Sequence, residues 1–400
     1  MATSAQQIRD YRGPALLSFG FRPFFLFGAI WAAIAIALWL PFLAGSITLP
    51  TALTPIQWHV HELIFGYVPA IAAGFLLTAV PNWTGRLPVT GRPLLALVTL
   101  WLAGRIAILV SAWTGAKIAA VIDLGFLALL GAIVAREIIA SKQMNNLKVL
   151  ALIAVLFGAN AAFHIEAQFG LGQGHAVRAG VAATVMLIMV IGGRIIPSFT
   201  RNWLARLGPG PLPAPFDRFD LGTIAAAALA LVAWIAAPAN AVTAWISLAA
   251  GTLHAARLAR WTGYRTAAEP LVLILHVAYA FVPLGFVLLA LAILRPDVIL
   301  PTGALHAWTA GAISLMTLAV MTRASLGHTG HELTASRSIE GIYAAAFVAV
   351  MARLIAAFDV ARQPMLHLSA MAWVLAFIGF AIVYGPLLTK PKAAPKKPQK

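Results

Sequence analysis

Two histidines and a carboxylate crowd into Trp58-His59-Val60-His61-Glu62, directly ahead of an apolar run from Leu63 to Val80. Imidazole nitrogens ligate copper, iron and zinc, and a neighbouring carboxylate orients the ring or completes the coordination shell. A run of that length and apolarity reads as a membrane helix, so these groups stand where water gives way to lipid. An ionisable side chain there is costly unless a partner or a metal compensates it, which makes it a functional candidate; the alternative is solvation among lipid headgroups. His59 and His61 are two residues apart. On a helix they face roughly opposite sides and serve two centres, whereas in an extended segment they share a face.

Cysteine is absent among the 400 residues, while ten histidines and nine methionines are present. That excludes disulfides, thiolate metal ligands, cysteine-held iron–sulfur clusters and thioether haem attachment. Any metal chemistry here is imidazole chemistry.

The elements that must position these groups follow from composition. The chain is 61% hydrophobic and 10% charged, with a mean hydropathy of +0.90, which marks an all-α, polytopic membrane protein. Windows of about 20 apolar residues predict twelve transmembrane helices near 21–43, 61–80, 94–114, 116–136, 147–167, 176–199, 220–237, 240–258, 270–294, 304–322, 340–359 and 366–388. Residues 19–389 then form a single twelve-helix domain. An amphipathic lead-in, 1–18, precedes it, and a disordered basic tail, 390–400, follows it. No convincing repeat relates the two halves.

Loop charge tests the count. Alternate segments carry Arg9 and Arg12; Arg86 and Arg92; Arg136, Lys142 and Lys148; Arg201, Arg206 and Arg218; Arg257, Arg260 and Arg265; Arg323 and Arg337; and the tail lysines. The opposite side carries only Lys117, Arg178, Arg295 and Arg362. Such an asymmetry puts both termini in the cytoplasm. It also accounts for the net charge of +16 as a topology signal rather than a nucleic-acid surface.

With that topology the histidines fall into two layers. His59, His61, His164 and His306 lie towards the outer side, with His175 and His367 in or near outer connections. His254, His276 and His328 lie towards the cytoplasm. Helices that bring imidazoles to one level are how bundles build haem and metal sites, so His59, His61, His164 and His306 are the leading ligand candidates. Asn160, four residues before His164, shares its helical face. His254 reads more simply as a cytoplasmic cap, and His328 sits in the glycine-broken Gly327-His328-Thr329-Gly330-His331. Arg194, in Gly192-Gly193-Arg194, suits a haem propionate, its flanking glycines admitting something close to the backbone. Arg105 and Arg353 also lie inside predicted spans.

Five blocks together resemble one family. They are Phe21-Arg22-Pro23-Phe24-Phe25; Trp58 to Glu62; Gly74-Phe75-Leu76-Leu77-Thr78-Ala79-Val80-Pro81-Asn82-Trp83-Thr84-Gly85; Gly192-Gly193-Arg194-Ile195-Ile196-Pro197; and Met316 to Gly330. In this order they are similar to the NnrS family over about residues 18 to 335. The resemblance implies a haem- and copper-containing protein of the bacterial inner membrane that responds to nitric oxide, in the setting of nitrosative stress and denitrification. It carries over His59, His61, His164, His254, His276, His306 and His328 as motif positions, without dividing them between haem and copper. It does not name an electron donor. At 331 the family pattern expects arginine, so His331 departs from it.

Binding or turning over nitric oxide at a histidine-ligated haem is therefore the leading expectation. The alternatives are a twelve-helix secondary transporter and a haem or copper carrier for another enzyme. Against a transporter, embedded carboxylates are scarce, with Asp123 and Glu166 near predicted helix ends.

Overall fold

The computed structural model describes residues 11–172 and 174–391. The expected lead-in falls partly outside the described residues, and the Lys/Pro tail almost wholly so. Twelve long helices and no strand are present among the described residues. They are α1 Phe21–Leu43, α2 Pro55–Thr84, α3 Gly91–Leu109, α4 Ala116–Ser141, α5 Met144–Phe169, α6 His175–Leu204, α7 Arg218–Ala236, α8 Ala241–Ala259, α9 Pro270–Leu294, α10 Pro301–Thr329, α11 Arg337–Ala357 and α12 Arg362–Thr389. All but α8 are long and apolar enough to cross a membrane. The chain is an all-α, multi-pass membrane protein. In α8, His254 and Arg257 lower an otherwise apolar helix of 19 residues.

Each predicted window overlaps one of these helices, but two ends differ in ways that matter. Thr54 accepts a hydrogen bond from the Gln57 backbone, and the Gln57 side chain returns one to Thr54. This capping box starts α2 at Pro55, so His59 and His61 are helical rather than extended. At the other end of the chain, α10 continues to Thr329 and stops where Gly330 takes φ +85°. His328, expected in a loop, is in the last helical turn, and Arg323, counted as a loop charge, is helical too.

The chain forms two compact units. The first contains residues up to Gly180, Val320–Leu333 and the chain from Phe377 onward. Within it α4 touches α2, α3 and α5, and so collects side chains from all three. Gly104 lets α3 approach closely, since a Cβ there would lie 3.2 Å from the Asp123 Cα. Arg22 is buried, and its guanidinium donates to the carbonyls of Leu387, Leu388 and Lys390 at 3.2, 2.9 and 2.7 Å. It thereby satisfies acceptors that the C-terminus of α12 leaves open. Arg22→Ala is expected to cost on the order of 1–3 kcal/mol, read as a lower thermal midpoint of the detergent-solubilised protein.

The second unit contains Val181–Ala319 and Thr334–Ala376. Here α9 packs along α8, α8 along α7, and α9 also meets the early part of α10. At that last contact the buried Trp308 indole donates to the Val282 carbonyl at 3.0 Å and packs edge-on against Phe286.

Three helices share a feature that composition hides. α2, α6 and α10, of 30, 30 and 29 residues, each contain a π-helical stretch: Glu62–Tyr67, Ile188–Gly192 and Ala307–Ile313. Their apolar windows are 78%, 67% and 72% buried, against 61% or less for the other spans. Each also carries a histidine five residues ahead of a glycine: His61 and Gly66, His175 and Gly180, His306 and Gly311. The spacing between them is four helices, a period of thirds that a comparison of halves does not reveal. π-Helical turns widen a helix and aim its carbonyls and side chains off the regular ladder.

Candidate functional site

In the first unit a polar cluster is closed off from water. Asp123, about two turns into α4, and Glu62, on α2, are 2% and 0% exposed. Arg105 from α3 joins them, donating to Glu62 Oε2 at 2.7 Å and to Asp123 Oδ1. Gly66 makes room for this arginine, since a Cβ at Gly66 would stand 2.3 Å from its Nη1. The π-helical turn matters at the same residue, because the Gly66 carbonyl accepts from the Trp101 indole at 2.9 Å.

Asp123 Oδ2 is the focus. His61 Nε2 approaches it at 3.2 Å, Asn160 Nδ2 donates at 2.7 Å, and His164 Nε2 lies at 3.1 Å. The other nitrogen of His61, Nδ1, faces Glu62 Oε1 at 3.0 Å, while the Trp31 indole donates to Glu62 Oε2 at 2.8 Å. Ionised carboxylates only accept, so this geometry is satisfied when both nitrogens of His61 carry protons. Two carboxylates, one guanidinium and one imidazolium then sum to zero charge, which is the condition for keeping them in an apolar interior. Phe65 and Phe163 wall off the His61 ring, at centroid distances of 5.8 and 5.3 Å.

The same groups form a metal-type constellation. One ligand atom each from His61, Asp123 and His164 lies within 4.8 Å of the others. They come from α2, α4 and α5, while Asn160, Arg105 and Glu62 supply the surrounding hydrogen bonds that hold ligands in place.

The remaining expected residues fall elsewhere. His59 turns away from His61, as the helical alternative requires, and stacks on Trp39 at 4.0 Å. His306 belongs to the second unit, with Nδ1 2.7 Å from the Thr302 carbonyl. His328 lies against Phe19 and Phe21 in the first unit. His276 is buried in the second unit, its Nε2 2.8 Å from Thr200 Oγ1. Arg194 is exposed.

His254 opens a second buried network, which the sequence reading missed. Arg257, counted among loop charges, is 0% exposed inside α8. Its guanidinium donates to Asp220 Oδ1 at 2.7 Å, to the Met189 carbonyl at 3.2 Å and to the Tyr279 hydroxyl at 2.8 Å. His254 Nδ1 lies 2.9 Å from the same hydroxyl. What approaches the Gly192-Gly193 pair is therefore Arg257, since a Cβ at Gly193 would stand 2.2 Å from its Nη2. The helix Arg218–Ala236, rich in small residues, supplies the counter-charge Asp220. Two signals in the sequence pointed this way: Arg257 falls one turn after His254 on the same helix, and Asp220 one turn into α7.

Comparison with curated proteins finds no match for this chain. The model of one protein family, described as NnrS protein, matches residues 15–392, and with almost the whole chain covered, the protein belongs to the NnrS family.

Proposed function

We propose that this is an inner-membrane protein of bacteria, with both termini in the cytoplasm, that holds copper and haem through imidazoles and binds or turns over nitric oxide. Membership of the NnrS family supports a role in the nitric oxide response. The observation that carries the metal reading is the convergence of His61, Asp123 and His164 within 4.8 Å. Two imidazoles and one carboxylate from three helices are a donor set suited to copper, and Asn160 and Arg105 hold the carboxylate still. A metal there would displace the Nε2 proton of His61, while the single proton of neutral His164 would move from Nε2 to Nδ1, so that both Nε2 lone pairs are free to ligate.

For haem the best-suited donor is His306. Its Nδ1 faces a backbone carbonyl, so that nitrogen carries the proton and Nε2 becomes the lone-pair atom, the tautomer a ligating histidine needs. Arg194, exposed on α6, remains the candidate for a propionate. When bound, ferrous haem supplies a site for nitric oxide, and the chain's task is to hold it and to exclude water.

The test is the copper and iron content and the visible spectrum of the detergent-purified protein, reduced, with and without nitric oxide. Copper should be near stoichiometric in the parent protein and fall at least tenfold in His61→Ala and His164→Ala, on the scale expected for loss of a metal's supporting contacts. His306→Ala should lose or shift the haem bands while keeping its copper. A colourless, metal-free protein from haem-replete cells would instead favour a transporter. Unchanged copper in both His61→Ala and His164→Ala would discard the site.

A further inference from the structure

The second buried network allows its protons to be placed. Arg257 has donors only, so at 2.8 Å its Nη1 uses a lone pair of the Tyr279 oxygen. The phenol proton then points to the other neighbour, His254 Nδ1 at 2.9 Å. His254 must accept there and carry its own proton on Nε2, which is buried. Tyr279 and His254 are both 0% exposed, so neither can pass a proton directly to water. The Trp261 indole packs edge-on against the Tyr279 ring at 4.6 Å, and the Arg257 guanidinium covers the indole at 5.1 Å.

We propose that Tyr279 and His254 are a proton-coupled redox pair, in which the phenol gives up an electron while its proton crosses to the imidazole. A one-electron oxidant takes the electron, the Tyr279 O–H bond breaks, and an N–H bond forms at His254 Nδ1. A neutral tyrosyl radical and an imidazolium remain, and the return of one electron reverses both changes. Removing an electron from a phenol that keeps its proton would leave a cation radical beside Arg257; the short hydrogen bond to His254 avoids this. Asp220, bonded to Arg257 Nε at 2.7 Å, offsets the fixed positive charge. Arg257 pins the phenol oxygen through its bonds to Asp220 and to the Met189 carbonyl, and so acts as a positioning residue. The pair belongs to the second unit and the proposed copper ligands to the first; only the identity of the natural oxidant rests on the nitric oxide reading, the class being nitrogen dioxide, formed from nitric oxide and dioxygen and reduced to nitrite.

The experiment is flash oxidation of the full-length protein in detergent by photogenerated ruthenium(III) tris-bipyridyl, followed by electron paramagnetic resonance. A tyrosyl signal is expected in the parent protein and in Tyr264→Phe, an exposed control, and its loss is expected in Tyr279→Phe. His254→Gln keeps a hydrogen-bond acceptor but no base, and should slow radical formation by ~100-fold, the usual effect of removing a positioned base. Thermal midpoints of both variants establish that they fold, and an unfolded His254→Gln is replaced by His254→Asn. A parent protein without a tyrosyl signal, a signal that survives Tyr279→Phe, or a rate unchanged in the folded His254 variant would overturn the proposal. Metal analysis of the same samples reads the copper site separately, so failure of one reading leaves the other intact.

Discussion

Asp123→Ala is expected to lower the stability of the protein by about 3–5 kcal/mol, the usual cost of leaving a buried charge without its partner. The carboxylate accepts from Arg105, His61, Asn160 and His164. Without it, Glu62 alone faces a guanidinium and an imidazolium, and the cluster holds one uncompensated positive charge. The midpoint of thermal unfolding in detergent reads this loss. Removing both sides of the ion pair, as in Asp123→Asn with Arg105→Met, should cost less than the sum of the single changes, because no charge is stranded. Copper bound by the Asp123→Ala protein should fall together with its stability. A midpoint within about 0.5 kcal/mol of the parent, the range typical of inconsequential surface changes, would show that the cluster does not hold α2, α3, α4 and α5 together.

Arg257→Leu should have an effect of similar size in the second unit. Asp220 is 4% exposed and would keep only the 3.3 Å contact from Arg260 and the bond from the Asp217 backbone N–H at 3.2 Å, while the Tyr279 hydroxyl and the Met189 carbonyl would each lose a donor. The expected cost is again about 3–5 kcal/mol. Arg257→Lys is not a rescue, because a single ammonium cannot reach an aspartate, a carbonyl and a phenol that a planar guanidinium spans at once. Arg257→Leu combined with Asp220→Asn should recover part of the loss, and the difference gives the coupling energy of the pair. The same thermal midpoints serve as the readout. Equal midpoints for Arg257→Lys and the parent would mean that charge alone, and not the spread of the guanidinium, is what this network uses.

Much of the architecture is legible in the chain because a membrane leaves few choices. A span without water must satisfy its backbone internally, so an apolar run of about 20 residues is a helix; all twelve windows became one. The break before Asn240 was also legible, whereas the third window, 94–114, overran: α3 ends at Leu109 and a separate turn, Ser111–Thr114, precedes Gly115. Family motifs were legible as well, and three of them acquired a physical cause. Phe21-Arg22-Pro23 places the clamp on the end of α12, Trp58 to Glu62 turns His61 and Glu62 into the first buried cluster, and Gly192-Gly193 clears space for Arg257.

Hydropathy could not show which charges are buried. Arg105, Asp123, Asp220 and Arg257 lower the apolarity of their helices just as lipid-facing or loop charges would, and hydropathy scores Arg257 no differently from Arg260 and Arg265 beyond it. The cost of a buried charge is offset only by partners on other helices, and those partners are set by packing: Gly104 and Gly66 let α3 carry Arg105 between Glu62 and Asp123. The π-helical turns were hidden for a related reason, since their hydrogen bonds shift by one residue without any change in composition. Sequence alone determined that the chain is an all-α, multi-pass membrane protein of the NnrS family and that it has no cysteine with which to hold a metal. Only the tertiary structure decided that His61 and His164 meet on Asp123 while His59 turns to Trp39, because helix phase and the approach of neighbouring helices choose which side chains share a centre.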